Sequence, residues 1–103
     1  MLSDIFTKEE LKELCFYASG KTPSDDEIQD TILEENIDCG EVTQKLIVPI
    51  YFTDDHKFPD LCVCIYNTGA VMYKNWSGCN FALSQPMKVY EMIVSKKKEF
   101  ERI

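Results

Sequence analysis

Hydrophobic and polar positions change their period twice along this 103-residue chain. Over residues 7–20 the repeat is helical. Leu11, Leu14, Cys15 and Ala18 fall at i, i+3, i+4 and i+7, one apolar stripe on one face. Thr7 and Glu10 have the spacing of a capping box, and Phe6 and Leu11 that of a hydrophobic staple. Gly20 supplies the left-handed residue that ends such a helix.

The same reading predicts a second helix after a very short turn. Thr22 can cap it with Pro23 at the first helical position, where a missing N–H costs nothing. Ser24 with Glu27 offers an alternative capping box. Asp25, Asp26 and Glu27 suit the positive end of the helix dipole. Ile28, Ile32 and Leu33 face inward, and residues 36–40 end the helix. So short a connection predicts an antiparallel helical hairpin.

Beyond residue 41 the period drops to two. VTQKLIVPIYF, residues 42–52, places Leu46, Val48, Ile50 and Phe52 on one face. Pro49 cannot donate to a ladder, which predicts an edge strand or a bulge. LCVCIY, residues 61–66, is apolar on both faces and reads as a central strand. Asn67-Thr68-Gly69 signals a compact turn before a third strand, AVMYKNW, at 70–76. A last helix is predicted from about 85 to 101, capped by Ser84, with Met87, Tyr90, Ile93 and Val94 inward. Lys96, Lys97 and Lys98 complement its C-terminal dipole.

The order is therefore α-α-β-β-β-α in a single domain, 1–103. The expected class is α+β in two layers, with a three-stranded antiparallel meander and all helices on one face. The other face would expose alternate residues such as Lys45, Tyr51 and Tyr73, a candidate contact surface.

Composition fits a folded domain: 45% of residues are hydrophobic and 28% charged. No run approaches the roughly 18 apolar residues of a membrane span. The first residues, MLSDIFTKEELKEL, lack the basic and apolar regions of a signal peptide. Five cysteines at 15, 39, 62, 64 and 79, an odd number, predict free thiols and a reducing, cytoplasmic setting.

Charge changes the picture most. The net charge is −7. Residues 1–60 hold 15 acids and 5 bases, whereas residues 61–103 hold 3 acids and 6 bases. Between residues 22 and 44 stand eight carboxylates and no Lys or Arg. A chain so acidic is repelled by phosphates, so a basic protein is the expected partner and nucleic acid itself is not. On the predicted second helix Asp26, Asp30 and Glu34 are spaced i, i+4, i+8, with neighbours roughly 5–6 Å apart. That is near the roughly 6–7 Å between successive phosphates on a strand. Like charges so placed weaken a helix by about 0.2–0.5 kcal/mol per pair. The plain reading is a solvated face. The functional one is an electrostatic docking surface.

Other candidate chemistry is thin. Asp54, Asp55, His56 and Asp60 share one loop but match no calcium-loop spacing. Cys62 and Cys64 lie on one face of a strand, and with Cys79 or His56 could hold zinc, although zinc knuckles usually use C-x₂-C on turns. Cys79 and His56 are the one conceivable nucleophile and base, with no oxyanion-hole motif beside them. No phosphate loop, nucleophile elbow or zinc-protease motif is present.

These readings point to a non-enzymatic inhibitor or adaptor without cofactor or metal. Asp26, Asp30, Glu34, Glu35 and Asp38 would dock on a basic nucleic-acid-binding cleft, with Tyr73 and Trp76 as aromatic anchors. A nucleic-acid mimic of the phage counter-defence type, acting on a host enzyme, is its concrete form. The alternatives are a structural or assembly subunit, such as a homodimer, using an aromatic sheet face, and a small metal-binding domain.

Overall fold

A computed structural model describes residues 2–51, 61–75 and 77–102, with the side chain of Asp38 outside the description. The class is α+β: four helices and a five-stranded antiparallel sheet. After a 3₁₀ turn at Leu2–Asp4 come α1 (Lys8–Ser19) and α2 (Asp25–Gln29). The sheet follows as β1 (Ile32–Asp38), β2 (Glu41–Ile50), β3 (Leu61–Tyr66), β4 (Val71–Asn75) and β5 (Asn80–Phe81). The described chain closes with α3 (Pro86–Ser95) and α4 (Lys97–Phe100). Strand order follows chain order.

The three predicted strands are β2, β3 and β4, and the meander gains one strand on each side. The largest correction is β1. Residues 32–38 pair with β2 from Ile32 opposite Ile47 to Asp38 opposite Glu41. The second helix is therefore one short stretch, capped by the Ser24–Glu27 box and not by Thr22. Cys39 and Gly40, at φ of 49° and 83°, make the tight turn between the strands. Two consecutive left-handed residues are what a two-residue hairpin needs to match strand twist. Sheet pairing overrides the weak helical preference of the segment. Pro49 keeps an edge-like place within β2: the β1 ladder ends with Ile32 opposite Ile47, so among the described residues Pro49 is paired only with Cys62 of β3.

The first helix follows its sequence signals. Thr7 and Glu10 form the full capping box, and Gly20 closes the helix at φ 77°. Phe6, Leu11, Leu14, Cys15 and Ala18 are all buried. The start of α3 is fastened to the end of α1: the Ser84 and Gln85 N–H groups donate to the Ala18 and Tyr17 carbonyls, at 3.0 and 2.8 Å. Ser84 does not cap α3; Gln85 occupies that place without a side-chain bond. The single helix predicted over 85–101 is divided at Lys96 into α3 and α4, and of the inward stripe expected for it only Ile93 packs on the core. Val89 is buried and Met92 and Ile93 pack on the core, while Met87, Tyr90 and Val94 are exposed. An apolar residue stands at most positions of this helix, so its own period cannot choose the buried side.

Period two decides which sheet residues meet the helices. Leu33, Leu46, Ile65 and Val71 form one row across β1 to β4, and Val48, Val63 and Tyr73 a second. These rows join Leu2, Ile5, Phe6, Leu14 and Val89 in the main core. The opposite face carries a smaller cluster of Ile47, Cys62 and Cys64, bordered by Tyr66 and Met72. Tyr73 thus belongs to the helix-facing side, not to the open face predicted for it. Its ring lies 5.5 Å from that of Phe81.

Candidate functional site

The acidic segment 22–44 is split by the fold between α2, its C-cap, the edge strand β1 and the start of β2. Asp26 lies on α2, Asp30 is its C-cap, and Glu34 and Glu35 lie on β1. The predicted helical line of Asp26, Asp30 and Glu34 does not exist. Successive β1 residues point to opposite faces, so Glu34 joins the open face and Glu35 the helix side.

Several of these carboxylates meet cations brought from elsewhere in the chain. Asp25 pairs with Lys8 at 3.1 Å and with Lys12. The Lys12 ammonium, then that of Lys8, holds its carboxyl below the usual aspartate range. Glu34 meets Lys45 at 3.2 Å, and the Lys45 ammonium also lies over the Tyr66 ring. No local sequence pattern announced these partners, because strand register and helix packing supply them.

Glu27 is the most constrained. Only 4% exposed, it accepts the Ser24 N–H at 3.0 Å and the Tyr51 N–H at 2.9 Å. Lys21 sits 3.5 Å away and donates to the Tyr51 carbonyl at 2.6 Å. Burial pushes the Glu27 carboxyl up, but the two N–H donors and Lys21 outweigh it and hold the group below its ordinary value. This acid is architectural: it ties α2 to the end of β2.

The remaining acids form the candidate surface. Asp26, Asp30, Glu35 and Glu41 are exposed and make no ion pair among the described residues. Glu35 accepts the Gln44 amide at 2.9 Å, while the Gln44 oxygen accepts the Leu2 N–H at 3.0 Å. The register sets Asp38 opposite Glu41 at the hairpin end. Glu35 and Asp38 stand on the edge strand β1, with Glu41 opposite at the start of β2, and charge there also discourages pairing with another chain.

Of the aromatic anchors, Tyr73 is half-buried in the core and Trp76 lies outside the described residues. So do Asp54, Asp55, His56 and Asp60, and with them the predicted loop cluster and the Cys79–His56 pair. Cys79 is exposed in the turn before β5, its N–H bonded to Asn75 Oδ1 at 2.9 Å.

Cys62 and Cys64 occupy the open face with their sulfurs 3.8 Å apart. The bond between them lowers the Cys64 thiol to about 7 against the opposing effect of burial, with help from the Lys74 and Lys45 ammoniums. The same bond, together with burial, pushes Cys62 up. Among the described residues no three His, Cys, Asp or Glu side chains are grouped to hold a metal. No helix among them is long and apolar enough to cross a membrane.

The chain matches no protein-family model, no curated protein and no solved structure. Its site is defined by its own chemistry.

Proposed function

We propose that this is a non-enzymatic protein-binding domain that docks its acidic α2–β1 edge on a basic surface. The partner it suits is a nucleic-acid-processing protein whose binding cleft the carboxylates would occupy in place of phosphates, as a counter-defence inhibitor of the phage type would. One observation carries the reading. Asp26, Asp30, Glu35 and Glu41 are exposed and make no ion pair among the described residues, while Asp25, Glu27 and Glu34 near them in the chain are paired. A sheet edge is rigid, so the charges meet a partner without first being ordered. Attraction of this kind speeds encounter and weakens with salt.

The test is affinity capture from the host lysate at low salt, with elution at high salt and competition by DNA or RNA. The triple reversal Asp26→Lys, Asp30→Lys and Glu35→Lys should abolish recovery of a nucleic-acid-processing partner while the fold survives. Undiminished recovery by that variant would remove the acidic edge from the interaction.

A second reading rests on α3. Met87, Tyr90 and Val94 are 68%, 64% and 48% exposed and lie along one side of that helix. Such a stripe suits an assembly subunit better than a charge-driven inhibitor. Light scattering separates the two: a dimer that dissociates in Tyr90→Glu favours assembly, and a monomer favours the acidic edge.

A further inference from the structure

The open face of the sheet holds a second chemistry, independent of the acidic edge. Period two along β3 sends Cys62 and Cys64 to the same side, where both are buried as residues and their sulfurs lie 3.8 Å apart. Both line a cavity of about 170 Å³, together with Glu34, Lys45, Ile47 and Lys74. The pair is poorly built to close on itself. Residues i and i+2 of a strand are roughly 6.6 Å apart at Cα, near the roughly 6.8 Å upper end of disulfide geometry.

The charges around the pair select an occupant. Lys45 is paired with Glu34 at 3.2 Å. Lys74 makes no ion pair among the described residues, so the cavity lining carries one uncompensated positive charge. Two thiolates with a divalent ion are neutral together and would leave that charge unanswered. Zinc also wants four ligands, and among the described residues no third donor joins the two sulfurs. Two thiolates with a soft monovalent ion carry one negative charge, which matches the lysine. Soft thiolate ligands select Cu(I), zinc and iron–sulfur clusters, and of these Cu(I) is the monovalent ion.

We propose that Cys62 and Cys64 form a two-coordinate thiolate site for Cu(I), with Lys74 balancing the charge of the complex. Two thiols and one Cu(I) ion give a bis-thiolate copper anion and two protons, which pass to solvent. Copper stays Cu(I), so no oxidant or reductant is consumed. The ion enters from the cavity, and rotation about χ1 of the two cysteines opens the space between the sulfurs. Cys39 and Cys79 are exposed and lie in turns; Cys79 follows Gly78 at the cavity rim but is not grouped with the two sulfurs as a third ligand, and Cys15 is enclosed in the main core.

The test is an anaerobic titration of the full chain with Cu(I) against a chromogenic Cu(I) chelator. The Cys39→Ser/Cys79→Ser protein, which keeps the buried pair, should take one Cu(I) per chain from the chelator. Cys62→Ser and Cys64→Ser should each abolish that transfer. Lys74→Glu, which leaves both sulfurs in place, should weaken it by at least about tenfold. X-ray absorption at the copper edge of the loaded Cys39→Ser/Cys79→Ser protein should report two sulfur neighbours, a result that does not depend on how the cysteine variants fold. The proposal is overturned if the chelator keeps the copper, if binding survives Cys62→Ser/Cys64→Ser, or if nitrogen or oxygen ligands dominate the spectrum.

Discussion

Replacing Glu27 by Ala removes both carboxylate oxygens that receive the Ser24 and Tyr51 N–H groups. Ser24 is exposed, so water can replace part of its bond. Its loss should cost about 1 kcal/mol, as for other helix caps. The Tyr51 N–H is less easily hydrated, and leaving it without an acceptor costs roughly 1–3 kcal/mol. The expected loss is about 2–4 kcal/mol, or a fall in Tm of roughly 10–25 °C for a domain of this size. Urea unfolding followed by circular dichroism measures it. The pH dependence gives a second reading. The folded Glu27 carboxyl lies below its unfolded value of 4.5, so the unfolded chain takes up the proton more readily. Its stabilisation is complete above that value and is lost as pH falls through the folded pKa. Glu27→Gln keeps the shape but has one acceptor oxygen and no charge, so it should be less stable than wild type at pH 7 and decline less toward acid. A loss under about 1 kcal/mol in Glu27→Ala, or parallel acid profiles for Glu27→Gln and wild type, would refute the architectural role of this acid.

Three further outcomes are expected. Gly69 sits at φ 89°, and an added Cβ would lie 3.2 Å from Ile93 Cγ2; Gly69→Ala should cost about 1–2 kcal/mol or more in urea unfolding. Lys12→Met should raise the Asp25 pKa toward its ordinary value in a carbon-detected NMR titration, because the Lys12 ammonium is the main cause of its depression. A thiol count with an aromatic disulfide reagent near pH 8 should show Cys39 and Cys79 reacting early and Cys15 only on unfolding. Burial, with the Glu27 charge beside it, pushes the Cys15 thiol up to about 12.

The first helix was fully legible because its information is local. A cap, a box, a staple and an apolar stripe all lie within residues 6–20 and need no distant partner. The strands at 41–50, 61–66 and 71–75 were legible for the same reason, since alternation is written in each segment. Residues 32–38 were not. Ile32, Leu33 and Ile37 fit either period over so short a span, and only the ladder to β2, closed by the Cys39–Gly40 turn, makes them a strand. A signal existed in Gly40 between two apolar-bearing runs, but it resembles a helix stop. The two residues of β5 left no signal at all.

The candidate site divides along the same line. The sequence determined that eight carboxylates gather between residues 22 and 44 without a local base. It could not determine which of them keep their charge in the fold. Lys8, Lys12, Lys21 and Lys45 reach Asp25, Glu27 and Glu34 through helix packing and strand register, across 6 to 17 residues of chain. Likewise, alternation placed Cys62 and Cys64 on one face, while only the pairing of β3 between β2 and β4 set Lys45 and Lys74 beside them. Periodicity fixes the direction of a side chain relative to its own element; what that side chain meets depends on elements far away in the chain, and tertiary packing alone brings those together.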